Sequence, residues 1–194
     1  MTNARRGAGP AKERPWGTIL VAAILIFIVA AFIGVMILDS RQGASAQPPE
    51  GTEEVDVGGA GQHTESTVDY EQTPPAGGEH NPVWQNCGVY SEPIRNETAV
   101  HSLEHGTVWI TYQPDLPEEQ VQQLEELTQG ESYMLVSPMD GLDSPIVASA
   151  WGNQLQVDSA SSEKLEQFKN YFLQGPQTPE PGAACSGGVG EPTG

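Results

Sequence analysis

A predicted helix is followed directly by a predicted strand in residues 99–112, Ala99-Val100-His101-Ser102-Leu103-Glu104-His105-Gly106-Thr107-Val108-Trp109-Ile110-Thr111-Tyr112. The first half of this stretch predicts a helix over about residues 97–105. Asn96 is a good N-cap, and Gly106 suits the left-handed position after the last turn. Its second half, residues 107–112, is rich in β-branched and aromatic side chains and predicts a strand.

His101 and His105 are four residues apart in a chain that has four histidines. On a helix such residues share a face with Cβ atoms roughly 6 Å apart, whereas on a strand they lie about 13 Å apart. Helical conformation is therefore the condition for one metal ion to bind both. The alternative is that the two rings cap the helix or hydrogen-bond in the core, because two ligands alone do not make a metal site.

The best third ligand in the sequence is His80, which lies in a Gly-flanked loop held by Pro82. Three imidazoles suit copper(II) or zinc, and a thioether from Met134 or Met139 would shift the preference toward copper(I). Both methionines are more simply explained as core or loop filler.

Residues 101–105 also match the H-x-x-E-H pattern of inverted zinc metallopeptidases, in which Glu104 would be the general base. Such an enzyme needs a further protein ligand, and the downstream acids Glu166 and Glu180 carry no supporting motif. Glu104 is more simply explained as a surface residue or as a hydrogen-bond partner behind a ligating imidazole.

The N-terminal segment predicts the location of the protein. Residues 18–38 carry no charge, and basic residues dominate before them, so we expect a transmembrane helix with residues 1–17 in the cytoplasm and the rest outside the cell membrane. A signal peptide is the alternative, because Ala44-Ser45-Ala46 has the form of a cleavage site.

Charge limits the partners of the exported part. The chain has 26 acidic residues and a net charge of −18, and beyond residue 41 its basic residues are Arg95, Lys164 and Lys169. Such a surface repels phosphates, which excludes nucleic acid as a partner. The expected partner is the plasma membrane, through the N-terminal helix, and a protein of the cell envelope remains a candidate.

Composition divides the exported part into three regions. Residues 39–68 contain few large apolar side chains and predict a flexible stalk, in which His63 is expected to be solvated. Residues 69–175 form the folded domain, and residues 176–194 form a Pro/Gly-rich tail.

Periodicity predicts the remaining elements of the domain. Amphipathic helices are expected over residues 118–129 and 161–173, and strands over residues 133–137, 146–151 and 154–157. The order β-α-β-β-β-α predicts an α+β fold with a small, mainly antiparallel sheet and helices on one face.

Cys87 and Cys185 are the two cysteines of the chain. An oxidising compartment allows them to form a disulfide that ties the tail to the loop before the histidine-containing helix. The alternative is that the thiols are copper ligands, although their spacing has no C-x-x-C character.

These residues carry a resemblance to a known family. Residues 80–84, 88–90, 99–106 and 108–110, together with Ala150-Trp151-Gly152 and Gly175-Pro176, resemble the bacterial family catalogued as "domain of unknown function" number 3105. The similarity covers about residues 70–181 and implies a membrane-anchored or secreted envelope protein without an established activity. Glu79 stands where the family pattern has Pro, which places a carboxylate, a candidate extra ligand, beside His80.

Three hypotheses follow. The leading one is an extracytoplasmic copper- or zinc-binding module that uses His80, His101 and His105, with the His80 ring within about 5 Å of both helix imidazoles and with His63 dispensable. The second is a non-catalytic envelope interaction protein with structural histidines. The third is a zinc-dependent hydrolase.

Overall fold

The computed structural model describes residues 20–21, 24–33 and 47–193. Residues 20–21 and 24–33 are helical, and the chain divides into units of residues 1–46 and 47–194. Among the described residues, no helix has the length and apolar character needed to cross a bilayer. The transmembrane helix expected over residues 18–38 lies partly outside the described residues.

Residues 47–193 form a six-stranded sheet with three helices. The strands are β1 (Glu53–Glu54), β2 (Gly88–Val89), β3 (Val108–Tyr112), β4 (Met134–Pro138), β5 (Ile146–Ala150) and β6 (Asn153–Val157), and the helices are α1 (Asn96–Glu104), α2 (Glu118–Glu126) and α3 (Glu163–Phe172). The strand order across the sheet is β1-β6-β5-β3-β4-β2.

The sheet is mixed, so the predicted mainly antiparallel sheet is wrong. β3 pairs antiparallel with β5, but β4 pairs parallel with both β3 and β2. The cause is α2. A helical crossover between β3 and β4 returns the chain to the end of the sheet where β3 began, so that β4 runs in the same direction as β3.

Helices lie on both faces of the sheet, so the prediction of helices on one face is also wrong. Val108 and Ile110 pack in one hydrophobic cluster with Phe168 of α3, whereas Trp109 packs in a second cluster with Leu103 of α1. Successive side chains of a strand point to opposite faces, and all five β3 residues are buried.

The predicted flexible stalk is wrong for residues 47–68. Glu53 of β1 pairs with Gln154 of β6, and His63 forms a parallel bridge with His80. The Thr64 N–H donates to the His80 carbonyl at 2.7 Å, and the His80 N–H donates to the Gln62 carbonyl at 2.9 Å. Backbone hydrogen bonds order this segment, and Val57 also packs against the cluster that contains Leu103.

The turn that follows α1 confirms the role predicted for Gly106. This residue has a φ of +93°, its N–H donates to the Leu103 carbonyl at 2.9 Å, and the Thr107 N–H donates to the Ser102 carbonyl at 3.1 Å. These are the paired bonds of a Schellman motif. At the other end, Arg95 rather than Asn96 occupies the N-cap position, without a side-chain hydrogen bond.

Candidate metal centre

All four histidines of the chain meet beside the end of α1. The ring centroids lie 4.8 Å apart for His63 and His80, 4.9 Å for His80 and His101, 5.0 Å for His63 and His101, and 4.5 Å for His101 and His105. We call these four residues the histidine cluster. The bridge between residues 63 and 80 brings two of the rings together, and the helical spacing of four residues brings the other two.

Glu104 lies within the histidine cluster, and its side chain is fully buried. Its Oε1 accepts a hydrogen bond of 2.5 Å from the Gly61 N–H. Its Oε2 lies 3.0 Å from His80 Nε2 and 3.8 Å from His63 Nε2. One carboxylate oxygen is thus held by the backbone, and the other faces two imidazole nitrogens.

Four donor atoms converge on one point, which we call the inner position. His63, His80, His101 and Glu104 each offer one atom, and these atoms lie within 4.8 Å of one another. A tetrahedral ion with bonds of about 2.1 Å holds its ligand atoms roughly 3.4 Å apart. Side-chain movements of about 1 Å or less would therefore close the group around an ion, and a buried cluster of this composition can hold a metal.

Backbone carbonyls fix the tautomers of three rings. His80 Nδ1 lies 2.7 Å from the Gly78 oxygen, His101 Nδ1 lies 2.6 Å from the Asn81 oxygen, and His105 Nδ1 lies 2.6 Å from the Ala184 oxygen. A carbonyl oxygen only accepts, so each Nδ1 carries the hydrogen and each neutral ring presents its lone pair at Nε2. Ligating histidines in metal sites are oriented in this way.

The nitrogen and oxygen atoms that face the interior of the histidine cluster carry no hydrogen to donate when the rings are neutral. His80 Nε2 faces the Glu104 Oε2 at 3.0 Å, and His101 Nε2 faces His105 Nε2 at 3.0 Å. For neutral rings, both contacts join two lone-pair atoms in a buried place, which is unfavourable unless a cation or a proton lies between them. The arrangement therefore attracts positive charge.

Burial keeps the proton off His101. The pKa of His101 is lowered from its usual value, first because burial disfavours the charged ring and then because a positive charge on His105, His80 or His63 would repel it. The hydrogen bond to the Asn81 carbonyl opposes this shift. A lone pair on this Nε2 is consequently available to a metal ion at neutral pH.

Comparison with known proteins places the chain in a family. A family model described as "Protein of unknown function (DUF3105)" matches residues 62–187. The chain belongs to this family, as its motifs predicted. The matched residues of this DUF3105 chain include the four histidines, Glu104 and both cysteines. No curated protein and no solved structure matches the chain.

The ligand set proposed from the sequence is partly reproduced in this DUF3105 domain. His80 and His101 belong to the inner position, but His63 occupies the place expected for His105. His63 is exposed, as expected, with 41% of its side chain accessible, but its ring joins the inner position instead of lying apart in a stalk. His105 touches His101 and lies 3.8 Å from the Glu180 Oε2.

The other candidate ligands lie elsewhere. The side chain of Glu79 is exposed, and its carbonyl accepts a hydrogen bond from the Tyr70 hydroxyl. Met134 packs in the hydrophobic cluster that contains α3 residues, and Met139 packs in the cluster that contains α1 residues. Neither methionine is among the residues that form the inner position.

A local signal was available for His63. Gly58, Gly59 and Gly61 precede it, just as Gly77 and Gly78 precede His80. Several of these glycines have positive φ angles, including Gly61 at +71° and Gly78 at +103°. Residues other than glycine rarely adopt such angles. Two histidines that each follow a Gly-rich turn are candidates for the same site.

Two tryptophans border the histidine cluster, and the disulfide anchors the tail segment that contacts it. Cys87 and Cys185 are bonded, with Cα atoms 5.4 Å apart, which confirms the predicted bridge and excludes the thiols as ligands in this state. The bridge anchors the tail at Cys185, directly after Ala184, whose carbonyl orients His105. The Trp84 ring lies 5.3 Å from that of His105, and the Trp151 ring lies 5.8 Å from that of His80.

Proposed function

We propose that this DUF3105 domain is a metal-binding module that holds one zinc or copper(II) ion at the inner position. The observation that carries the proposal is the convergence of three imidazoles and one carboxylate within 4.8 Å. The backbone supports the proposed ligands, because carbonyls orient His80 and His101 and the Gly61 N–H orients Glu104.

The chemistry of the donors favours zinc or copper(II) over other ions. Imidazole nitrogens suit these metals, whereas calcium and magnesium prefer a complete set of oxygen ligands. Copper(I) would be favoured by thioether ligands, but Met134 and Met139 pack in the hydrophobic clusters. Four protein ligands complete a tetrahedral site, which is typical of sites that hold an ion rather than activate water.

The position of Glu104 argues against the hydrolase alternative. A general base must reach a metal-bound water, but both oxygens of this carboxylate already face protein groups, Gly61 on one side and His80 and His63 on the other. His105, which the H-x-x-E-H pattern requires as a ligand, lies outside the inner position.

The metal itself provides the test. Purified full-length protein with a histidine-free tag is stripped with a chelator and titrated with zinc and with copper(II). We expect one equivalent to bind tightly, and copper(II) to quench tryptophan fluorescence because Trp84 and Trp151 border the histidine cluster.

Variants identify the ligands in the same titration. His101→Ala and His63→Ala should each lose stoichiometric binding, and Glu166→Gln on α3 is the matched control that should bind like the wild type. Failure of the wild type to bind either metal would overturn the proposal. So would full binding by both histidine variants.

We further propose that the folded unit works on the extracytoplasmic side of the cell membrane. The basic residues before the apolar run, the acidic composition and the disulfide support this location. The protein should fractionate with membranes, retain residues 1–46, and be digested by protease added outside intact spheroplasts. A mature N-terminus at Gln47 would contradict the membrane attachment, and protection from external protease would contradict the orientation.

A further inference from the structure

We infer that an ion at the inner position exchanges with the surroundings through an outer position formed by His105 and Glu180. The inference rests on the proposed metal-binding function and adds a route to it. His105 Nε2 lies 3.0 Å from His101 Nε2 and 3.8 Å from Glu180 Oε2. His105 is buried, whereas the Glu180 side chain is 53% exposed, so the three donor atoms lead from the inner position to solvent.

The tail places Glu180 with a fixed backbone and an exposed side chain. The Glu180 N–H donates to the Glu104 carbonyl at 3.0 Å, and the Gly182 N–H donates to the Gln174 side chain at 2.7 Å. Two residues further on, the Ala184 carbonyl orients His105. The carboxylate is therefore held at the mouth of the site by a segment that also positions the imidazole behind it.

The tautomer of His101 makes it the residue that both positions share. Its Nδ1–H is occupied by the Asn81 carbonyl, so the ring has a single lone pair, at Nε2. That lone pair can serve an ion at the inner or the outer position, but it cannot bridge two ions. An ion moves when His105 and Glu180 replace inner ligands one at a time. Coordinate bonds form and break, and the oxidation state of the ion does not change.

The charge of Glu180 explains why this mouth is favoured over the side of His63. An anionic group at an opening raises the local concentration of cations and speeds their association. His63 is itself an inner ligand, and the bridge to His80 holds its backbone. Glu180 has no place in the inner position, so it is free to capture an ion and to release it.

The test follows exchange rates in the full-length protein. Zinc uptake by stripped protein, and zinc release to an excess of a chromogenic chelator, are measured by stopped flow. Glu180→Gln should slow both rates by about tenfold, because a residue on the route acts on entry and exit alike. His105→Gln should slow them as well. Glu191→Gln, an exposed acid in the same tail, is the control and should exchange at the wild-type rate.

Salt dependence adds a second readout. Uptake by the wild type should fall more steeply with ionic strength than uptake by Glu180→Gln, because the carboxylate attracts the ion. Wild-type rates in both variants, with zinc still bound, would overturn this inference alone and would indicate exchange past His63. Absence of zinc binding in the wild type would instead overturn the proposed function.

Discussion

Helices α1 and α3 pack on opposite faces of one sheet, yet they bury very different surfaces. α3 buries Leu165, Phe168 and Phe172 and leaves its polar residues outward. α1 buries every residue from Glu97 to Glu104, because the segments around residues 61–85 and 180–185 cover its second side. The apolar side of α3 requires only the sheet to pack against, whereas α1 also requires a hydrogen-bond partner for each buried polar group.

The partners on α1 show how the polar side is satisfied. The Ser102 hydroxyl donates to the Gln85 carbonyl at 2.7 Å, and the Thr98 hydroxyl donates to the Gln85 side chain at 2.8 Å. The Glu97 carboxylate accepts from the Val68 N–H at 2.9 Å. A buried polar group without a hydrogen-bond partner would cost about 1–3 kcal/mol of stability. The polar side of α1 therefore fixes the positions of the loops that cover it, whereas α3 requires only that apolar side chains pack against it.

Phe168→Ala in α3 should have the largest effect on stability while leaving zinc binding on the other face unchanged. Removal of a fully buried Phe side chain costs about 3–5 kcal/mol of unfolding free energy, measured by urea denaturation. Zinc stoichiometry should stay at one, because the histidine cluster lies on the other face. Loss of zinc binding by the folded variant would show that the two faces are not independent.

The next comparison is between two glycines in the turns that follow helices. Gly106 after α1 and Gly130 after α2 both have positive φ angles, +93° and +81°. A Cβ at residue 106 would collide with the side chains of Gln174 and Thr178, whereas a Cβ at residue 130 meets nothing within 4 Å.

We therefore expect Gly130→Ala to cost about 1–2 kcal/mol from backbone strain alone. Gly106→Ala should cost about 1–3 kcal/mol more from overpacking. It should also slow zinc exchange through the outer position, because Gln174 donates to the carbonyl of His105. Equal losses of stability in the two variants, by thermal or urea unfolding, would contradict the role given to the tail.

A smaller effect is expected from Glu97→Gln, which tests the polar side of α1 away from the proposed ligands. Burial raises the pKa of this carboxyl, but hydrogen bonds from the backbone and from Arg95 outweigh it and hold the pKa below its usual 4.5. A lowered folded pKa gives stability that is complete above the unfolded value and is lost as pH falls through the folded one.

The wild type should thus lose stability as pH falls below about 4.5, and Glu97→Gln should show a flatter profile. At pH 7 the variant should be less stable by about 1.5–3 kcal/mol, as for a hydrogen bond to a charged group. A variant with the wild-type profile would show that Glu97 contributes no charge-dependent stability.

The sequence predicted the parts of the fold that depend on local pattern. The spacing of Leu165, Phe168 and Phe172 located α3, the β-branched and aromatic composition of residues 107–112 located β3, and Gly106 marked the end of α1. The compartment and the count of cysteines were sufficient for the disulfide. Each of these depends on residues close in sequence or on a choice with few alternatives.

The parts that failed depend on pairings between distant segments. The parallel alignment of β3 and β4 and the bridge between His63 and His80 are made by backbone groups, which every residue possesses and which composition does not record. His63 was therefore assigned to a stalk, although glycines precede it as they precede His80, and the predicted site gained His105 in its place. The loop histidine His80 was found because the Gly and Pro residues around it are a local signal.

The identity of the four ligands is the central claim, and anomalous diffraction at the zinc edge from crystals of the zinc-loaded protein tests it most directly. We predict one peak about 2.0–2.1 Å from the Nε2 atoms of His63, His80 and His101, with Glu104 Oε2 as the fourth ligand. A peak bound by His80, His101 and His105 with His63 turned to solvent would contradict this account, as would zinc found only at the exposed acidic surface.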